Sequence, residues 1–342
     1  MREFHYDLAA GTLLSLPVIN KLCRLKYFQG ENTVIANANA KFLETMHTHA
    51  KNYSIGASNR LSGIQVPSSR IHAMLDENEE PKNQQEQEYL GYTKAFTFIK
   101  ENYTRMDCSV ETLLTIHRLL FAQSDPDAAG HFKTVHSGIG ASPEETPHMV
   151  ERIVQEYTGA LAQGDYDPVL LFSLLYFDFV MIHPFDRGNG RVSRLLALHA
   201  LSKSGYPIGM FVSMESILEQ SLSQRNKAIQ ESAIGWPDGT NDYQPICHYA
   251  LDIILFGSQM FRQRIEHLTR HGVTKSDRIR QMVERQTAQF SKGDILAALP
   301  GISEITVRRE LIQLQKDGVI TKLSDGRYSE YIKNTADGTQ VD

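Results

Sequence analysis

His183-Pro184-Phe185-Asp186-Arg187-Gly188-Asn189-Gly190-Arg191-Val192-Ser193-Arg194 is the stretch on which the reading of this chain turns. It lies between two strongly apolar segments, 169–182 and 192–201, each long enough for a helix buried on most faces. A polar loop is therefore held between two core helices. Pro184 disfavours helical geometry at His183 and so ends the first helix, while Gly188-Asn189-Gly190 suits a tight turn opening the second. The first-turn amides of that second helix are then available to an anion such as phosphate or carboxylate. Arg191 and Arg194, three apart, share one face of its first turns, where two guanidinium forks are placed to grip neighbouring phosphates. His183 stands at the rim as a candidate general base.

Each of these features alone has an ordinary structural explanation; together, in twelve residues, they resemble the signature of the Fic family, His-x-Phe-x-(Asp/Glu)-Gly-Asn-Gly-Arg-x-x-Arg. The resemblance implies a mainly α fold, a Fic helical core carrying a small β-hairpin flap. It also implies an enzyme that moves AMP from ATP onto a Ser, Thr or Tyr hydroxyl of a protein target. Carried over, His183 is the base that deprotonates the hydroxyl and Phe185 anchors the loop. Gly188, Asn189 and Gly190 form the anion hole, Arg191 holds the β-phosphate and Arg194 the γ-phosphate.

One position departs from that signature. Where the family has an acid before the first Gly, as ligand of a Mg2+ ion on the phosphates, this chain has Arg187, with Asp186 one place early. Three readings follow. Asp186 reaches a metal through an altered loop, or the Arg187 guanidinium neutralises the pyrophosphate in place of the ion, or catalysis is lost and nucleotide binding alone remains. We hold the second above the first.

The chain has 342 residues, room for two or three domains, and 41% hydrophobic content, ordinary for a globular protein. A net charge of -5 gives no overall attraction to nucleic acid or membrane, so a nucleic-acid role needs a local patch. Cys23, Cys108 and Cys247 are far apart, without metal-ligand spacing, and read as buried free thiols in a reducing compartment. The apolar run 8–19 lacks the positive flank and cleavage pattern of a signal sequence. The apolar stretch before His183 is shorter than the roughly 20 residues of a membrane span. A cytoplasmic protein without a membrane partner is expected; homo-oligomerisation is left open.

In chain order, 1–85 reads as an N-terminal helical segment, including a helix over 32–52. Within it, Ser58-Asn59-Arg60-Leu61-Ser62-Gly63 resembles the family's inhibitory helix, (Ser/Thr)-x-x-x-Glu-(Gly/Asn), whose glutamate pairs with the second signature arginine. Ser62 occupies the glutamate's place, and since a neutral hydroxyl makes no ion pair, Arg194 is expected to be left free. Thr97-Phe98-Ile99-Lys100-Glu101-Asn102 matches the pattern literally, but belongs to the apolar spacing of a core helix. The run 76–88, dense in Glu, Asn and Gln, reads as a solvated connection.

The core, 86–268, reads as helices over 89–102, 110–121, 149–161, 168–182, 192–204, 214–233 and 243–268. His117 is expected to pack structurally, and Trp236 to serve as a packing anchor. The segment 130–140 alternates enough for a short hairpin, and the resemblance makes it the flap, with Val135, His136, Ser137, Gly138 and Ile139 pairing along a target backbone. From 276 to 333 the pattern changes to three short helices, 279–285, 292–299 and 303–317, the last with Ile305, Val307, Leu311 and Leu314 inward, then a two-stranded wing over 321–332 turned at Asp325-Gly326. This resembles a winged helix-turn-helix domain in which Arg308 and Arg309 would contact DNA. The primary expectation is thus a protein adenylyltransferase. The alternative is a nucleotide-sensing, DNA-binding regulator with a weakly active or inactive core.

Overall fold

The computed structural model describes residues 2–135, 140–324, 326 and 329–334. Four helices open the chain: α1 (Tyr6–Thr12), α2 (Leu16–Ala38), α3 (Ala40–Arg60) and α4 (Ser68–Leu75). The core continues with α5 (Gln84–Asn102), α6 (Val110–Phe121), α7 (Thr146–Gln163), α8 (Pro168–Ile182) and α9 (Asn189–Lys203). It closes with α10 (Met214–Gln220), α11 (Leu222–Ala233) and α12 (Gln244–His271). Two expected helices are divided in two: the 32–52 segment breaks at Asn39 between α2 and α3, and the 214–233 segment at Ser221 between α10 and α11. Helices α1 to α12 all contribute to one hydrophobic core, from Phe4 to Leu268.

The axis of that core is α8. Pro168 sits in its first turn, and Asp167 accepts from the Val169 amide at 2.9 Å, a favourable start for a helix. All its residues but Pro168, Val180 and Met181 are fully buried, as the unbroken apolar run demands. Asp178 is the exception in chemistry. Its carboxylate accepts from Trp236 Nε1 at 2.7 Å and from the Tyr6 and Tyr243 hydroxyls, each at 2.9 Å, with Arg2 3.7 Å away. Trp236 is thus a packing anchor, and the N-terminal strap is fastened to the central helix. Among the described residues, no single helix is long and apolar enough to cross a membrane.

Past Gly272 a second hydrophobic cluster begins. It is built by α13 (Lys275–Arg285), α14 (Lys292–Ala298) and α15 (Glu304–Lys316) with strands β1 (Phe290–Ser291), β2 (Ile320–Lys322) and β3 (Glu330–Lys333). The strands form an antiparallel sheet in the order β1-β3-β2, with Phe290 opposite Tyr331 and Ile320 opposite Lys333. The starts of α13 and α14 are fixed by reciprocal capping boxes, Thr274 with Asp277 and Ser291 with Asp294. This unit is bolted to α3: Arg60 donates to both Glu219 oxygens, at 2.7 and 3.0 Å, and to the Glu284 and Gln286 carbonyls at 2.9 and 2.7 Å.

Four expectations are corrected. Ile305 is 82% exposed, because the α15 core face is carried by Val307, Leu311 and Leu314 alone. Cys23 is exposed, although all three cysteines are free. The 76–88 run is not all solvated: α5 begins at Gln84, and Glu86 and Glu88 are buried. The described residues of 130–140 contain no strand, and of the five flap positions only exposed Val135 is described; His136, Ser137, Gly138 and Ile139 lie outside the described residues.

Candidate functional site

The signature loop is held by its own backbone chemistry. His183 caps α8 in the left-handed region, φ 53°, where a non-glycine residue is strained and where functional residues concentrate. The Asn189 side chain closes the loop from the other end, its Oδ1 accepting from the Phe185 amide at 2.9 Å and its Nδ2 donating to the Phe185 carbonyl at 2.7 Å. Phe185 is buried and stacked on His117, ring centroids 4.0 Å apart. The Gly130 amide donates to His117 Nδ1 at 3.0 Å, so the ring proton sits on Nε2 and points at the Arg187 carbonyl 3.2 Å away. Burial holds His117 well below its ordinary value, at about 4, and it stays neutral. It is a packed residue, as expected, and it pins the loop to the turn at Gly130.

Gly188 begins α9 at φ 81°, and a Cβ there would sit 2.5 Å from the Phe121 ring. Only glycine admits both the turn and that approach. No side chain caps the first-turn amides of α9, which leaves their partial positive charge for a ligand. Beside them Arg191 is 5% exposed; its Nη2 lies 2.6 Å from Glu88, and its buried Nη1 has no partner among the described residues. A buried, charged donor without an acceptor is costly in a native fold, and next to the uncapped start of α9 it leaves a donor open to a ligand. Burial, opposed by Glu88, pulls the Arg191 guanidinium below its usual value.

Arg187 does not stand alone either. Its Nη2 is hydrogen-bonded to Glu88 Oε1, and Nη1 lies 3.7 Å from Asp125. Both Arg187 and Arg191 place their guanidinium carbons 4.8 Å from the centroid of the Phe121 ring, in cation–π contact. Asp186, by contrast, is exposed, and its charge acts on Lys133. No group of three or more His, Cys, Asp or Glu side chains arranged to hold a metal occurs among the described residues.

His183 is half-buried, and Lys133, Gly140 and Ala141 lie against the backbone beside it. The Lys133 amide donates to the Pro184 carbonyl at 2.9 Å, the Ala141 amide to the Ile182 carbonyl at 3.0 Å, and Lys133 Nζ to the Ile182 carbonyl at 3.1 Å. Gly140, at φ 76°, lies so close that a Cβ would be 2.3 Å from the Ile182 oxygen. Burial first, and the Lys133 charge second, hold the His183 imidazole below its ordinary value. A neutral imidazole at pH 7 is the form a base needs.

Arg194 is not left free. Its Nε donates to Ser58 Oγ at 2.8 Å, and Nη2 donates to the Ser58 carbonyl at 3.1 Å and to Ser62 Oγ at 2.9 Å. The end of α3 thus meets the second arginine of the signature with two hydroxyls and a carbonyl and no carboxylate. Burial lowers the Arg194 pKa, as expected for a guanidinium whose direct partners are neutral. Thr97–Asn102 lies within α5.

Loop, α9 and α3 end therefore bring His183, Gly188, Asn189, Gly190, Arg187, Arg191, Arg194 and Ser62 into one neighbourhood. Arg308 and Arg309 are exposed on α15 in the second cluster. Glu88 was missed. Its signal was available: Asn83-Gln84-Gln85-Glu86 is a helix-start pattern, and the Asn83 side chain does cap the Glu86 amide, which carries Glu88 into the helix.

Residues 107–201 match the profile of the Fic/DOC family. Protein adenylyltransferase Fic of Drosophila yakuba is 26% identical over 215 residues, covering 60% of this chain and 41% of its own. Protein adenylyltransferase fic-1 of Caenorhabditis briggsae is 27% identical over 185 residues, 48% of this chain and 32% of its own. The chain thus spans less than half the length of these curated relatives. Among solved structures, a Fic domain containing signaling protein from Bacteroides thetaiotaomicron superposes with a TM-score of 0.58 at 22% identity, covering 71% of this chain and 98% of that one. A Fic family protein from Desulfovibrio desulfuricans gives 0.58 at 17% identity over 94% and 97%. Residues 107–201 are a Fic/DOC family domain, set in a helical chain that shares its fold with Fic proteins of known structure.

Proposed function

We propose that this chain is a protein adenylyltransferase that moves AMP from ATP to a Ser, Thr or Tyr hydroxyl of a target protein or of itself. The observation that carries the reading is the unpartnered, buried Nη1 of Arg191 beside the uncapped start of α9, with a half-buried His183 at the opposite end of the same loop. In the reaction, His183 takes the acceptor's proton as the hydroxyl oxygen bonds to the α-phosphorus. The bond from that phosphorus to the bridging oxygen breaks, and pyrophosphate leaves with the electron pair. The amides of Gly188, Asn189 and Gly190 receive phosphate oxygens, Arg191 the β-phosphate, and Arg194 the γ-phosphate after exchanging its serine contacts for it.

The residues fit a magnesium ion poorly. The only loop carboxylate, Asp186, is exposed and its charge is felt by Lys133, while the position before Gly188 is a cation held on Glu88. We derive no step through a metal, and read Arg187 as bringing the positive charge that the pyrophosphate needs. The three free thiols accord with a reducing, cytoplasmic setting.

We read 276–333 as a winged helix-turn-helix domain, on the order of its three helices and its β1-β3-β2 sheet. A DNA-binding role is favoured by one observation: Arg308 lines a groove with Lys292 and Lys322; Arg309, next in sequence, is exposed. Anisotropy of a labelled duplex at low salt tests this, and no binding there sends the domain to protein partners. The enzyme reading is tested by intact mass after incubation with ATP, with and without chelator, beside His183→Ala. An AMP-sized gain in the parent alone supports it, and no gain on the chain or on any added protein refutes it.

A further inference from the structure

Glu88 is 5% exposed, and both of its carboxylate oxygens face guanidinium groups of the signature loop. Oε1 accepts from Arg187 and, at 3.3 Å, from Gln84 Nε2; Oε2 lies 2.6 Å from Arg191. The two guanidinium groups also share the Phe121 ring as a platform. Each arginine is thereby fixed by one edge. The other edge of Arg191 is Nη1, without a partner among the described residues, while that of Arg187 lies 3.7 Å from Asp125.

We propose that Glu88 is a positioning residue: it clamps one edge of Arg187 and one of Arg191 against Phe121, so that the open edge of Arg191, beside an Arg187 whose Nη1 faces Asp125 at 3.7 Å, forms a pre-set receptor for a pyrophosphate group. The proposal rests on the adenylyltransferase reading only for the identity of the group bound; the receptor itself is defined by the arginines. It explains why an arginine is accommodated where the family's signature has an acid. Two guanidinium groups side by side repel, and a single buried carboxylate between them offsets that repulsion while holding both. It also gives this loop a fixed cation at the position in question.

Field and position predict opposite signs for one substitution. Glu88→Gln removes a negative charge beside two arginines, so a field effect alone would tighten binding of a polyanion. If the carboxylate is the clamp, the amide holds the arginines weakly, they lose their alignment, and binding weakens. The probe is inorganic pyrophosphate titrated calorimetrically into the full chain in the presence of a chelator, with thermal melting of each variant alongside. Expected is a weakening of roughly tenfold or more for Glu88→Gln with the melting temperature largely kept, and a smaller loss for Glu88→Asp, whose shorter reach spans the pair less well.

Arg187→Met, with Glu88 intact, covers the case in which Glu88→Gln does not fold. It should lose affinity, and the double variant should lose less than the sum of the two single losses, because the residues act as one unit. Binding unchanged or tighter in Glu88→Gln, full additivity, unaltered affinity in Arg187→Met, or no pyrophosphate binding by the parent each overturns the proposal. Pyrophosphate binding without AMP transfer would instead retire the enzymatic reading and leave the clamp standing.

Discussion

Replacing Ser62 with glutamate should convert a permissive contact into an inhibitory one. Ser62 is exposed at the end of α3, and its Oγ already receives a hydrogen bond from Arg194 Nη2 at 2.9 Å. Arg194 meets neutral partners at that end: the Ser58 hydroxyl, the Ser58 carbonyl and Ser62. The Arg194 guanidinium already donates a charge-assisted bond to Ser62, so a carboxylate there adds an ion-pair attraction of about 1–4 kcal/mol at ~4 Å between the limits of bulk water and a protein surface. Because the new carboxylate stands at the solvent side, screening keeps the gain near the lower end, at about 1–2 kcal/mol.

Nucleotide must displace this contact to reach Arg194, so its apparent affinity should fall about 5- to 30-fold. The assay is ATP titration of the purified chain by calorimetry, paired with the rate of AMP incorporation at several ATP concentrations. Ser62→Gln, of nearly equal size and no charge, separates electrostatics from bulk. Affinity and rate unaltered in Ser62→Glu would refute the reasoning, as would an equal loss in Ser62→Gln.

Two further outcomes are expected. His183 titrates below its ordinary value through burial and the Lys133 charge, so the base form survives to lower pH and the acid limb of the transfer rate should lie below pH 6.5. Lys133→Met removes the lowering charge and should move that limb upward, slowing transfer near pH 6 more than near pH 8; a pH–rate profile with an unmoved limb counts against His183 as the base. Asp178→Ala should cost about 3–5 kcal/mol, since it strips the acceptor from Trp236, Tyr6 and Tyr243 and the counter-charge from Arg2. Burial raises the Asp178 pKa from 3.8 to about 6, so the folded state binds its proton more tightly than the unfolded one. This group's contribution is therefore greatest below about pH 4 and declines as pH rises to about 6. Denaturant unfolding across that range should show the slope in the parent and lose it in Asp178→Ala.

The elements read most faithfully from the sequence were those whose residues satisfy their own neighbours. The Pro168 start and Ile182 end of α8 were legible because a capping aspartate, a first-turn proline and a terminal His-Pro pair punctuate an unbroken apolar run. The capping serines of α6 and α15 lie beside the predicted starts for the same reason. Where the expectation failed, the deciding partner was distant. Ile305 has helical spacing suited to a core, yet α15 turns it to solvent. The charged run before α5 looked solvated because acidic residues in sequence carry no mark of the arginines that will meet them.

By itself the sequence determined the order of chemical groups along the loop, the imidazole, the turn of glycines and the two arginines on one helical face, since local backbone preferences suffice for that. Tertiary structure decided which of those charges are engaged. Glu88 meets Arg187 across 99 positions, and Ser62 meets Arg194 across 132. The strength of a charge contact depends on separation in space and on the water excluded around it, and neither is encoded in the spacing of residues along the chain.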